Sequence, residues 1–406
     1  MECRELRDNN MSINWQNLRP WNGSQNLAFE ELCCQLASYE KAPRGSVFIR
    51  KAPPDAGVEC YWKLPNGDEW GWQAKFFLSP PNNHQWSQLD ESVKKALEKH
   101  PRLTSYTICL PIDRQDPRIK KQKWSMDKWN DHVDKWQSWA RRKGISIEFK
   151  YWGEHEIWER LSRGEHRGRR FFWFNKELFS QQWFKNRVEE AVADVGSGYT
   201  ELNVKLPIAR LFDGLGRTPD FYTRVKDLCG KIRTIYNKAC SRRALGVAKD
   251  EFQSLQEVIN QVLSTADSTE NAEIALIDWQ RIDKSAQKCI NLARDYIQNE
   301  LIRNELIRNL VKLKDFALSK EAHLSNVPAL LLVGGPGTGK THLFCDVAKR
   351  RISSGFPTVL LLGGHFNKDE PWSQIIKLLG LSCTKEEFLE ALEAAAQARG
   401  VQGLLF

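Results

Sequence analysis

Apolar residues recur along this chain with two periods, and the switches between them mark out its elements. From Asn26 to Tyr39, Leu27, Leu32 and Leu36 fall at helical spacing among polar neighbours, which predicts an opening amphipathic helix. Val58 to Leu64 and Glu69 to Phe77 then read as two strands. Between them lies Pro65-Asn66-Gly67-Asp68, whose Asn-Gly pair is a strong hairpin signal. Gln88 to Leu97 predicts a second helix and Ser105 to Pro111 a buried strand. Asp127 to Arg142 places Trp129, Val133, Trp136 and Ala140 on one helical face ahead of Gly144, and Ile145 to Trp152 alternates as a strand.

Residues 196–219 are rich in glycine and proline and read as a boundary, whereas 220–325 carry few breakers and read as a helical connector. After Pro328 the pattern changes again. Ala329 to Val333 predicts a buried parallel strand, Lys340 to about Ser353 a helix, Thr358 to Leu362 the next parallel strand, and Gly403 to Phe406 the start of another. The chain is therefore expected to be α/β, with an N-terminal domain over 1–195, a connector over 196–325, and the first part of a nucleotide-binding domain over 326–406.

The segment between the first of those strands and its helix is Gly334-Gly335-Pro336-Gly337-Thr338-Gly339-Lys340-Thr341, a complete GxxxxGK[ST] loop. Its glycines let backbone N–H groups wrap around phosphates, and the helix beginning at Lys340 turns its positive end toward them. Lys340 is expected to reach the β- and γ-phosphates of ATP, and Thr341 to give its hydroxyl to Mg²⁺. Hydrolysis also calls for an acid on a neighbouring strand, so nucleotide binding is the firmer expectation.

Charge divides the chain unevenly: residues 1–250 hold 43 Lys and Arg against 32 Asp and Glu, and 251–406 hold 17 against 19. The basic excess concentrates at Arg118, Lys120, Lys121 and Lys123, at Arg141, Arg142 and Lys143, and at Arg167, Arg169 and Arg170. Such clusters suit a polyphosphate backbone. No apolar run approaches the roughly 20 residues of a membrane span, and the chain opens with no signal-type stretch, so a cytoplasmic location is expected. The ten cysteines are scattered without zinc spacing and read as reduced thiols.

A second constellation lies in the basic half. Asp55 precedes the first hairpin strand, and Gln73 and Lys75 lie on one face of the second. A carboxylate, an amide and a lysine around Mg²⁺ suit phosphodiester hydrolysis. With Phe29-Glu30-Glu31-Leu32 on the first helix, this D…QxK order resembles the Mrr-like branch of the PD-(D/E)XK restriction-endonuclease fold. Through RKAPPDAGVECYW and GWQAKFF it is also similar to the nuclease domain of antiviral STAND NTPases, the Avs family, and of related defence nucleases. The order nuclease, helical connector, P-loop NTPase resembles their layout.

That resemblance implies a restriction-endonuclease-like α/β domain in which Asp55 and Gln73 ligate Mg²⁺ and Lys75 is the catalytic lysine. Glu30 matches the helix acid, with Glu31 as its competitor. It implies an antiphage effector cutting double-stranded DNA as a homo-oligomer, triggered by a phage protein only in a longer form that carries a sensor. Two other readings compete: a restriction endonuclease coupled to an NTPase motor, and a remnant that binds ATP or DNA without turnover.

Overall fold

The computed structural model describes residues 13–51, 57–114, 125–175, 177–196, 199, 208–241, 253 and 276–406. In chain order the first elements are α1 (Gln25–Ala37), β1 (Val47–Arg50), β2 (Cys60–Lys63), β3 (Glu69–Ala74), α2 (Asn83–Lys99), β4 (Leu103–Cys109), α3 (Ser125–Arg142) and β5 (Glu148–Trp152). There follow α4 (Glu154–Leu161), α5 (Arg167–Phe174), α6 (Gln181–Val195), α7 (Ala209–Leu215), α8 (Pro219–Ser241), α9 (Trp279–Tyr296), α10 (Glu300–Ala317) and α11 (Lys320–Leu324). The last are α12 (Lys340–Ser353), β6 (Thr358–Val359), α13 (Pro371–Leu378), α14 (Lys385–Gln397) and β7 (Leu404–Leu405). They gather into two compact units. One is built on Met1–Phe184 and Leu361–Arg399, the other on Lys185–Thr269, Ile274–Leu360 and Gly400–Phe406.

The first unit is organised by a mixed five-stranded sheet of order β1-β2-β3-β4-β5. Strands β1, β2 and β3 pair antiparallel, and β4 and β5 continue the sheet in parallel. The hairpin forms where Asn-Gly predicts it: Gly67 takes φ +84°, and Leu64 N–H donates to the Asp68 carbonyl at 2.8 Å. Strand β1 was not legible in the sequence, because four residues are too few to establish a period. Helix α2 begins five residues before the apolar pattern does, since Asn82 and Gln85 form a reciprocal capping box.

Two helical layers cover the sheet. Trp86, Leu89 and Val93 of α2 and Trp129 and Trp136 of α3 pack with Tyr106 and Ile108 of β4. Alternation turns Cys109 away from Ile108, and it meets Cys33 of α1. Trp62 of β2 donates its indole N–H to the Ala37 carbonyl at the end of α1, at 2.9 Å. The described cysteines are free thiols, nearly all buried, and burial pushes Cys229 up to about 12.

In the second unit α8, α9 and α10 share a core that includes Phe221, Ile232, Ile282, Ala286, Ile290, Leu306 and Leu310. The described residues of 220–325 are thus mostly helical, as their few breakers predict. A helix, α7, also forms inside the stretch that read as loop, because Ala209, Phe212 and Leu215 recur at helical spacing and pack with Leu343 and Val347 of α12. Strands β6 and β7 pair in parallel with Thr358 opposite Leu404 and Val359 opposite Leu405.

Three expectations are corrected. Ala329–Val333 is no strand: Leu330 and Leu332 turn toward Leu343 and Leu404, while Leu331 and Val333 stand 85% and 81% exposed. An apolar run becomes a strand only where a partner completes its hydrogen bonds, and β6 and β7 pair with each other instead. Arg169 is no surface cation. It is fully buried, donating to Tyr39 Oη at 2.8 Å and Gln397 Oε1 at 3.1 Å. Finally, Leu361–Arg399, which begins inside the predicted strand Thr358–Leu362, packs as part of the first unit.

Candidate functional site

The C-terminal end of β3 gathers the chemistry of the first unit. Strand β2 is entered through Gly57, whose φ of +78° favours glycine. A Cβ there would also lie 2.1 Å from the Ser92 carbonyl oxygen of α2, so the chain passes against helix backbone with no room for a side chain. Two residues on, Glu59 N–H donates to the Trp72 carbonyl at 2.8 Å and sets Glu59 beside Gln73. Gln73 Nε2 donates to Glu59 Oε1. Lys75, tied by its N–H to the Cys109 carbonyl at 3.0 Å, brings Nζ to 3.7 Å from Glu59 Oε1 and 3.9 Å from Glu30 Oε1.

Glu30, Gln73 and Lys75 are thus brought to one place, and Glu59 joins them. The sequence reading passed over Glu59. The signal that finds it is its position opposite Gln73 in the hairpin register, one pair beyond Cys60 and Trp72. Asp55 and its role lie outside the described residues. Glu31 is drawn elsewhere: buried, it pairs with Arg50 of β1, whose Nη1 donates to its Oε1 at 2.8 Å, and receives a bond from Gln35 Nε2 at 2.8 Å. Adjacent residues on a helix point about 100° apart, so one faces the site and the other the fold.

The site opens into a cavity of about 380 Å³ lined by Glu30 and Lys75 on one side and Gln88, Ser92 and Lys95 of α2 on the other. Gln73 Oε1 is buried without a hydrogen-bond partner among the described residues. An orphaned amide oxygen beside a carboxylate is the hard oxygen donor set that a Mg²⁺ ion takes. Among the described residues no three His, Cys, Asp or Glu side chains cluster as a ready metal cage, so Glu59 and Gln73 would need further ligands, such as water, to complete one.

The P-loop lies in the second unit. Gly337 and Gly339 take φ of +74° and +79°, and α12 starts at Lys340 as expected. Lys340 Nζ folds back onto its own loop, donating to the carbonyls of Gly334 and Gly335 at 2.6 and 2.7 Å. Gly334, Gly335, Pro336, Gly337, Thr338, Gly339 and Thr341 are exposed to solvent. Glu370, which follows β6, caps α13 by accepting from Ser373 N–H at 2.6 Å, which holds its carboxyl below the usual range.

Of the basic clusters, Arg141, Arg142 and Lys143 are exposed at the end of α3. Cations there also offset the helix dipole, so their placement has a structural reason as well. Lys120, Lys121 and Lys123 lie outside the described residues. Among the described residues no helix is long and apolar enough to cross a membrane. No family model matches the chain, and neither does any curated protein or solved structure, so any functional reading rests on these residues and their geometry.

Proposed function

We propose that this chain is a Mg²⁺-dependent endonuclease for double-stranded DNA, joined to an ATP-binding P-loop that controls it, as in an antiphage-defence effector. The observation that carries the reading is the convergence of Glu59, Gln73 and Lys75 with Glu30 at one end of β3. Glu59 and Gln73 would hold the cation, with Asp55 as a further candidate ligand. When bound, Mg²⁺ supplies charge neutralisation of the scissile phosphate and a more acidic water. The Lys75 ammonium, held between two carboxylates, orients the attacking water and offsets charge on the phosphate. Arg141, Arg142 and Lys143, with Lys120, Lys121 and Lys123, are the proposed contacts to the DNA backbone.

The test is plasmid cleavage by the full chain, since Leu361–Arg399 belongs to the same unit as the site. Cutting is expected with Mg²⁺ and none after chelation. DNA binding without any cutting across a range of protein concentrations would favour the non-catalytic reading.

For the P-loop, a calorimetric titration with ATP and Mg²⁺ is expected to show binding that Lys340→Ala weakens by at least about tenfold, because a charge-assisted phosphate contact is lost. Lys340 is partly exposed and, among the described residues, bonds within its own loop, so the variant is expected to fold. Equal affinity in the two proteins would remove the loop from the binding site.

A further inference from the structure

Between β6 and β7 the chain leaves the nucleotide-binding unit, and Leu361–Arg399 becomes part of the first unit. Its docking there is no loose surface contact. Along α14, Phe388, Ala391, Ala394, Ala395 and Ala396 are all buried. The small side chains let α5 approach to backbone distance: a Cβ on Gly168 would lie 2.2 Å from Glu390 Cβ and 2.5 Å from Ala391 N. Gly168 N–H donates to Glu390 Oε2 at 2.7 Å.

Polar groups carry the contact into α1. Gln35, fully buried, donates from Nε2 to the Ala394 carbonyl of α14 at 3.1 Å and to Glu31 Oε1, and accepts from Trp173 Nε1 at 3.0 Å. Glu31 adjoins Glu30, which faces Lys75 at the candidate site. Close packing and matched buried polar groups make α1, α5 and α14 move together, because shifting one against the others breaks hydrogen bonds that water cannot reach to replace.

In the second unit one side chain holds the chain on both sides of that segment. Arg351, near the end of the P-loop helix α12 and 5% exposed, donates from Nε to Thr358 Oγ1 at 3.0 Å, at the start of β6. From Nη2 it donates to the Gln402 carbonyl at 2.6 Å, just before β7. Lys340 opens the 14-residue helix that also carries Arg351, so the two are joined by a rigid rod of about 16 Å.

We propose that Leu361–Arg399 is a relay by which nucleotide at the P-loop acts on the helix carrying Glu30, with Arg351 as the positioning residue that grips the chain on both sides of it. Nucleotide engages Lys340 and the start of α12; α12 carries the change to Arg351; the clamp passes it to the strand ends; and α14 delivers it to α1 and α5. The proposal rests on nucleotide binding by the P-loop, and its readout does not require nuclease activity.

Hydrogen exchange of the full chain, with and without ATP and Mg²⁺, tests it. In the parent protein, exchange is expected to change in residues 334–353 and also in Gln25–Ala37, Arg167–Phe174 and Lys385–Gln397. The remote change is expected to be about fivefold or more, the low end of ordinary allosteric coupling. At an ATP concentration near the parent's Kd, Lys340→Ala should shrink both changes together. Arg351→Lys, which keeps a cation but loses the two-ended grip, should keep the local change and lose the remote one. Should that variant not fold, the parent and Lys340→Ala decide the matter by themselves. A change confined to 334–353 in the parent overturns the relay alone. No change anywhere, with no heat of binding, overturns nucleotide binding and the relay with it.

Discussion

Lys75→Ala and Glu59→Gln are each expected to lower Mg²⁺-dependent DNA cleavage by about 10²–10³-fold, the usual cost of removing a preorganised charge from a reacting centre. Lys75 Nζ lies within 4 Å of two carboxylates and takes no part in the apolar core, so its loss should leave the protein folded. Glu59→Gln keeps the side chain's shape and its approach to Gln73 while removing the charge that a cation needs. The measurement is initial cleavage rate at saturating Mg²⁺, with thermal melting as a control for folding. Either variant cutting as fast as the parent would take that residue out of the chemistry. Loss in Lys75→Ala with full activity in Glu59→Gln would return the carboxylate role to Asp55.

Arg50→Met is expected to destabilise the first unit by about 3–5 kcal/mol, because it leaves the Glu31 carboxylate buried without its cation. Both partners are buried, and Glu31 also holds Gln35, so the uncompensated charge sits where α1, β1 and α14 are stitched together. Denaturant unfolding followed by tryptophan fluorescence is suited to the measurement, since most of the chain's tryptophans precede residue 184. The double variant Glu31→Leu with Arg50→Met should recover most of the loss, because two apolar side chains leave no charge stranded. A single-variant cost under about 1 kcal/mol, the level of an exposed pair, would mean that water reaches Glu31.

The two adjacent acids show where sequence reading stops. Glu30 and Glu31 share a helix, a composition and a motif, and which of them faces Lys75 depends on where α1 sits over the sheet. The amphipathic period locates that helix. Its rotation follows from the packing of Leu32, Cys33 and Leu36 and from the pull of Arg50 on a strand too short to be foreseen. Glu59 is the complementary case. Nothing in its immediate sequence marks it, yet the hairpin register sets it opposite Gln73.

By itself the sequence determined the elements whose cause is local. The Asn-Gly hairpin, the described helices of 220–325, the glycine loop and the start of α12 at Lys340 all formed as read, because turn chemistry, few breakers and helix-initiating geometry act within a few residues. Tertiary structure decided everything that needs a distant partner. Ala329–Val333 reads as a buried strand and lies unpaired, with two side chains in solvent. Arg169 reads as part of a basic patch and is buried against Tyr39 and Gln397. Leu361–Arg399 follows the nucleotide loop in sequence and packs with α1 and α5, because the backbone contact at Gly168 and the hydrogen bond from Gln35 exist only once residues more than 200 positions apart have met. Composition and periodicity record what each segment would bury, while the identity of its neighbour is a property of the assembled fold.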